Sequence, residues 1–363
     1  MKSHTLPLLL IAAAGLLGRP APAVAQQTRV LTADKHNEYG LVYNLPLTSL
    51  RFEVTARRTA THRGPFYQYA ERFIGTDKVV TADTEKWEIV SVKAVAYGTA
   101  DTSEKYLMQL KPGAVMSVCV ADDGMLLAIN TETKAPELPA VTPDQPAKPG
   151  VSTNDYLEYV NEDFLASQSS AMQARMLSES LMEVRDAKVS LTRGTAETMP
   201  TDGRQLELML GSLAHQEAAM TAAFTGTTET ETVTRTFTYT PDEEGRSVLF
   251  RLSDFAGFVG ADDYSGEPVY VTMQTLETPE LPLDAKGETK KLPKDAVIYN
   301  IPGTARITLT MKGATLWSEN VDCAQLGVTF GVAPTLFSDR KARSAAIFNP
   351  VTGGIERIFD LAE

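Results

Sequence analysis

The 363-residue chain carries 46 acids against 34 lysines and arginines, a formal net charge of −12. A surface of that sign has no electrostatic footprint for nucleic acid or anionic lipid headgroups, so neither is expected as a partner. The length exceeds one common domain and leaves room for two cores, or one large core with an insertion.

The chain opens with "MKSHTLPLLLIAAAGLLGRPAPAVAQQ": a charged start at Lys2, an apolar run from Leu6 to Leu17, and a small-residue site at Ala23-Val24-Ala25. This is the pattern of a secretory signal. The run is shorter than the roughly 20 residues that span a bilayer, so cleavage after Ala25 is expected, with a mature chain beginning at Gln26. That cleavage removes Lys2 and Arg19 and no acid, moving the formal charge from −12 to −14. No cysteine follows the site and no later stretch is long and apolar enough to cross a membrane, so neither a lipid anchor nor a transmembrane segment is expected. The expected location is periplasmic or secreted.

From Tyr39 to Asn130 the apolar period is two. In "LRFEVTAR" Leu50, Phe52, Val54 and Ala56 alternate with polar residues, which suits a strand with one face on a core. "WEIVSVKAVAYG", "KYLMQLK" and "VMSVCVADDGMLLAIN" read the same way, and Asp122-Asp123-Gly124 marks a hairpin turn in the last. Between Thr131 and Thr153 stand five prolines, from Pro136 to Pro149, with almost no large apolar side chain, which predicts an extended or mobile linker.

The period then becomes 3.6. One helical face carries Leu177, Leu181 and Val184, and a second carries Leu206, Leu210, Leu213, Met220 and Phe224. Asp202 with Gln205 resembles a capping box and Gly226 a stop, so a helical hairpin is expected. Strand patterns resume with "TVTRTFTYTPDEEGRSVLFRLS", read as a hairpin around Asp242 to Gly245. They continue through "PVYVTMQTLE", "ARITLTMKG" and "QLGVTFGV" to a last hairpin turning at "NPVTGG", Asn349 to Gly354. "YNLPLTSLRFEV" from Tyr43 is echoed by "YNIPGTARITL" from Tyr299. The echo indicates either two related β modules or two equivalent strands in one.

The expected fold is α+β and mostly β: two sandwich-like β-sheet modules with an inserted helical hairpin. The expected divisions are a signal peptide at 1–25, an N-terminal β module at 26–130, a Pro-rich linker at 131–154, the helical hairpin at 155–226 and a C-terminal β module at 227–363.

The stretch "GPFYQYAERFIG", residues 64–75, concentrates four aromatic rings. Phe66, Tyr69, Ala70 and Phe73 fall at helical spacing between Pro65 and Gly75, which predicts a short amphipathic helix with its stripe on a sheet. Packing is the ordinary use of such a stripe. The alternative makes Tyr67, Tyr69 and Arg72 the rim of a binding surface.

Together with "TDGRQLELMLGSLAHQEAAMTAAFTG", "TRTFTYTP", "DDYSGEPVYV", "YNIPGTARITL" and "FNPVTGGIERI", this stretch resembles a secreted Bacteroidota family, domain of unknown function 4831, across essentially the whole mature chain. The resemblance implies an envelope location in a bacterium of that group. It assigns no activity and no site residue.

Little in the sequence points to a reaction. His215 in "HQEAAM" lacks the spacing of a metal pair, and no Gly-x-Ser-x-Gly elbow, P-loop or CxxC occurs. The Ser-x-x-Lys at Ser338 to Lys341 stands without companion motifs. Asp262, Asp263 and Glu267 could offer oxygens to calcium, although Asp-rich loops before a strand are ordinary turn chemistry. No cofactor is expected and catalytic residues are not assigned. Cys119 and Cys323 allow either a disulfide or two buried thiols. The reading favoured is a non-enzymatic binding or scaffold protein of the cell envelope, its partner another envelope protein. The alternative is a glycan-binding module or a hydrolase whose site is scattered through the sequence.

Overall fold

The structure is a computed structural model that describes residues 29–32, 41–103, 105–108, 116–293, 295–338 and 343–361. The expected signal peptide, His36 and Lys341 lie outside the described residues. In chain order the first strands are β1 (Arg29–Thr32), β2 (Leu41–Tyr43) and β3 (Pro46–His62). They are followed by the short helix α1 (Ala70–Ile74) and by β4 (Thr84–Ala100), β5 (Tyr106–Met108), β6 (Ser117–Val120) and β7 (Leu126–Ile129). The helices are α2 (Glu162–Ala166), α3 (Ser170–Arg193) and α4 (Gly203–Thr225). Then come β8 (Thr227–Tyr239), β9 (Gly245–Ser253), β10 (Gly257–Val259), β11 (Glu267–Glu277), β12 (Val297–Met311), β13 (Ala314–Val332), α5 (Thr335–Ser338), β14 (Ser344–Phe348) and β15 (Ile355–Asp360). The fold is α+β and mostly β.

Two sheets pack face to face, one in the order β4-β3-β8 and one in the order β10-β9-β11-β12-β13. The alternation of β3 decides the inner face: Leu50, Phe52 and Val54 are buried against Val269, Val271, Ile307 and Leu309. Phe52 meets Trp317 edge-on at 5.2 Å, and Phe237 of β8 stacks on Phe250 at 4.1 Å. Each such side chain withdrawn from water contributes about 1.5–3 kcal/mol before ordering costs. A second core gathers Tyr43, Met108, Ile129, Phe337 and Phe348, where the β2-β5 pair meets the sheet β1-β6-β7-β14-β15.

Both strand-rich segments contribute to these sheets. β8 pairs with β3 over its whole length, and β14 pairs with β7. The expected hairpin at Asp242 to Gly245 does not form, because β8 hydrogen-bonds to β3 while β9 pairs with β10 and β11. The chain crosses between facing sheets there, and the Glu244 carboxylate accepts the Thr275 N–H at 2.7 Å. The hairpins at Asp122 to Gly124 and Asn349 to Gly354 do form.

The Tyr-Asn echo is topological. Tyr43-Asn44 leads into β3, which pairs with β4 and is followed by the β6–β7 hairpin. Tyr299-Asn300 lies in β12, which pairs with β13 and is followed by the β14–β15 hairpin. The two hairpins adjoin through β7 and β14. Each asparagine is buried and donates its N–H to a turn glycine of its own hairpin, Asn44 to the Gly124 carbonyl at 3.0 Å and Asn300 to the Gly353 carbonyl at 3.1 Å. Both glycines have positive φ, +88° and +73°, which a side chain would strain. The two stretches thus hold equivalent places, each bonded to the turn of its own hairpin.

The Pro-rich segment is extended and tied down. Gln145 and Thr232 exchange backbone bonds of 2.9 and 2.8 Å, so the segment runs as a short false strand along the outer edge of β8. It thereby satisfies part of a strand edge that would otherwise invite pairing. Asp144 accepts the Thr234 N–H at 2.7 Å, and Arg51 donates to the Pro139 carbonyl. The Thr142 hydroxyl donates to Glu53, which Lys93 also contacts at 3.3 Å. That cover explains why Glu53, on the outward side of β3, is only 8% exposed.

Candidate functional site

The helical hairpin forms as the periodicity predicts. α3 starts on Ser169, whose hydroxyl accepts the Met172 N–H, and ends on Gly194 at φ +70°, where Gly194 and Thr195 donate back to Leu191 and Ser190. α4 stops at Gly226. The expected capping box does not form: the Asp202 side chain makes no cap bond, and the first turn instead carries an Arg204–Glu207 pair at 2.8 Å.

The two helices pack unequally along their length. Near the body, Leu177, Leu181 and Val184 of α3 and Met220, Ala223 and Phe224 of α4 are buried in one cluster with Phe66, Tyr156 and Phe164. Phe66 lies 5.6, 6.1 and 5.8 Å from the rings of Tyr156, Phe164 and Phe224. At mid-length Glu217 bridges the helices, receiving Arg185 and Lys188, each at 2.9 Å. The Lys188 ammonium, then Arg185, holds its carboxyl below the usual carboxylate range. Beyond this clamp α4 has no buried residue from Gly203 to Ala218. There the helices flank an open cleft of about 560 Å³ lined by Ala187, Ser190, Leu191, Met209, Ser212 and Leu213, with the connecting residues 195–198 across its end. Small side chains on both walls keep the helices from filling it. Val189, Met199 and Leu208 are exposed on the same arm. A cavity of this size takes an apolar group of small-molecule size or a few side chains of a partner.

The aromatic stretch 64–75 packs on this hairpin and not on a sheet. It begins as a 3-10 turn at Tyr67–Tyr69 and becomes α1 only from Ala70, ending on Gly75 in the left-handed conformation. Gly64 explains the placement. A Cβ there would lie 2.4 Å from the Ala223 carbonyl oxygen, to which the Phe66 N–H donates at 2.9 Å. Phe66 and Ala70 are buried, while Tyr69 and Phe73 are half-buried against the same cluster. Tyr67 is half-buried under the Arg63 guanidinium at 5.1 Å, and the exposed Arg72 lies over Phe73 at 5.3 Å. Of the three residues expected on a binding rim, Tyr69 turns to the hairpin and Tyr67 and Arg72 stay at the surface.

Asp263 caps its own loop, its carboxylate accepting the Ser265 N–H at 2.9 Å, and this bond draws its pKa down. Glu267 lies 4.0 Å from Lys312. Among the described residues no three His, Cys, Asp or Glu side chains converge as a metal site would require. His215 receives or donates one bond with the Tyr159 hydroxyl, at 2.9 Å. Cys119 and Cys323 are buried free thiols in separate clusters. Burial pushes the Cys323 thiol up to about 12 and raises that of Cys119, so both remain protonated at neutral pH.

The sequence stripe found the helices but not the cavity. The available signal was surplus apolarity: Leu208 and Met209 fall outside the stripe Leu206, Leu210, Leu213 that a two-helix contact needs.

Fold and cavity define a mostly β protein that carries a two-helix arm with an apolar cleft. The chain belongs to the family described as Domain of unknown function (DUF4831), whose model matches residues 39–356. No curated protein and no solved structure matches it. Among the described residues no helix is long and apolar enough to cross a membrane.

Proposed function

We propose that the protein is a non-enzymatic binding or scaffold protein of the Bacteroidota cell envelope, and that the arm formed by α3 and α4 docks an apolar segment of another envelope protein. The observation that carries this reading is the unfilled cleft of the distal hairpin, with Met209 in its wall and Leu208 exposed nearby. Apolar surface left on a well-packed scaffold marks an interaction site. The signal-like N-terminus supports the location.

The test is affinity capture from detergent-treated envelope extract with the tagged mature chain, in wild-type form and as Leu208→Asp/Met209→Asp. A stoichiometric protein partner, captured by the wild type and lost by the variant at unchanged melting temperature, is the expected result. Equal capture by both forms would move the docking surface off the arm. Saturable glycan binding with no protein partner would replace the scaffold reading. Terminal sequencing by mass spectrometry checks the location, with Gln26 expected as the first residue.

A further inference from the structure

Two side chains stand further into solvent than any other large apolar or aromatic residue among the described residues: Phe255 at 84% and Tyr264 at 85% exposure. The next is Leu165 at 64%. Both belong to turns at one end of β9, a strand that lies between β10 and β11. Gly257 pairs with Ser253 and Glu267 with Leu252, so the turn 254–256 and the loop 260–266 share that corner.

Neither turn is loosely held. The Ser253 hydroxyl accepts the N–H groups of Phe255 and Ala256 at 3.3 and 3.4 Å. Gly257, at φ +68°, seats the turn against the Trp87 indole, where a Cβ would come within 3.1 Å. The longer loop crosses over β9 so closely that a Cβ on Gly266 would lie 2.9 Å from the Leu252 carbonyl carbon. Arg251 fixes it from beneath, donating to the Ala261 and Gly266 carbonyls at 2.8 and 3.1 Å while its guanidinium supports one face of the Tyr264 ring at 4.5 Å. The tyrosine's exposure is thus built into the loop. Asp254, Asp262 and Asp263 are exposed on the same two turns.

We propose that this corner is a second recognition surface, independent of the arm, which binds an extended cationic segment of a partner protein through its arginine or lysine side chains. Aromatic faces attract cations through the ring quadrupole, and carboxylates do so by charge, so both chemistries of the corner select the same group. A neutral partner would cover Asp254 and Asp262 without compensating them, Asp263 being already held by the Ser265 N–H. Because the turns are pre-organised, little conformational freedom is lost on binding.

The experiment is fluorescence anisotropy of the full mature chain with a labelled peptide of alternating arginine and glycine, at low and at physiological salt. Wild type is expected to bind saturably. Phe255→Ala/Tyr264→Ala, which leaves the net charge unchanged, is expected to weaken binding about tenfold. Asp254→Asn/Asp262→Asn should do the same, with all melting curves superimposed. The control Glu280→Gln/Glu288→Gln, at exposed acids elsewhere, should change affinity by less than about twofold. An aromatic pair without effect, or a control as damaging as the aspartate pair, would show diffuse attraction to an acidic protein and overturn the proposal. Saturable binding of chitohexaose that needs Phe255 and Tyr264, with no peptide binding, would overturn it in favour of a neutral glycan platform.

Discussion

The two halves of the α3–α4 hairpin share one pattern and have different fates. In the half near the body, leucines and a phenylalanine at helical spacing are buried. In the distal half, Leu206, Leu210 and Leu213 of α4, at the same spacing, are left half-covered. The difference is the third layer. Near the body, Phe66 of the aromatic stretch and Tyr156 and Phe164 of the segment before α3 close over the helix pair; Tyr159 reaches as far as His215, and among the described residues the cleft beyond is lined only by the two helices and their connection. Two helices alone present each other too little surface to bury a wide apolar stripe. An amphipathic pattern therefore states which face wants cover, without stating what supplies it.

The largest expected effect tests that contrast. Phe66→Ala and Phe224→Ala each remove a fully enclosed ring from the proximal cluster and should destabilise the fold by about 3–5 kcal/mol. Leu213→Ala, in the cavity wall, should cost well under half of that, because the site is already part empty. Phe73 is half-buried, so Phe73→Ala falls between them. Denaturant unfolding of the four variants gives the order directly, and equal losses for Phe224 and Leu213 would mean that the distal half is closed in solution.

Intermediate in size is the clamp where the two halves meet. Glu217→Gln leaves Arg185 and Lys188, neighbours on α3, without the charge that ties them to α4, and should cost about 1 kcal/mol at neutral pH, as for other partly exposed pairs. The sign with pH follows from the lowered carboxyl pKa of the folded state. Its contribution is complete above the unfolded value of about 4.3 and is lost as pH falls through the lower folded value. The melting temperatures of wild type and variant should therefore converge as the pH is lowered through the folded pKa. A gap that stayed constant through that range would show that the carboxylate's charge is not what holds the clamp.

Much of this was legible from the sequence because period and turn chemistry are local. The alternation in β3, the 3.6 period of α3, the stops at Gly75 and Gly226, and the turns at Gly124 and Gly353 each depend on neighbours in the chain. The misplacements concern partners far along it. Thr227–Tyr239 and Gly245–Ser253 read as a hairpin, since nothing between Tyr239 and Gly245 says that one strand belongs beside β3 and the other beside β11. The stripe of Phe66 and Phe73 was legible as packing, but its partner was the hairpin, chosen by the close approach that Gly64 permits. Phe255 and Tyr264 drew no notice in the sequence, because exposure is decided by the loops that carry them.

The smallest effect concerns the Pro-rich segment, whose composition alone left it extended or mobile. Its hold on the sheet rests on few bonds, among them Thr142 to Glu53, Asp144 to the Thr234 N–H, and the Gln145–Thr232 pair. The Thr142 hydroxyl, then Lys93, keeps the Glu53 carboxyl below the usual carboxylate range, so this attachment is present near neutrality and weakens as pH falls through the folded pKa. Hydrogen exchange at pH 7 should find the amides of Gln145 and Thr232 protected, but less so than those inside β3, because a locally tied segment opens without the sheet. Glu53→Gln keeps the shape and removes the charge. It should raise exchange at Gln145 several-fold, a loss of about 1 kcal/mol locally, while β3 amides and the melting temperature stay nearly fixed. Thermolysin should then cut faster at Leu138 or Val141, both exposed. If Gln145 exchanged at the rate of an unstructured peptide in the wild type, the segment would be a free linker and the outer edge of β8 would be open to pairing with another strand.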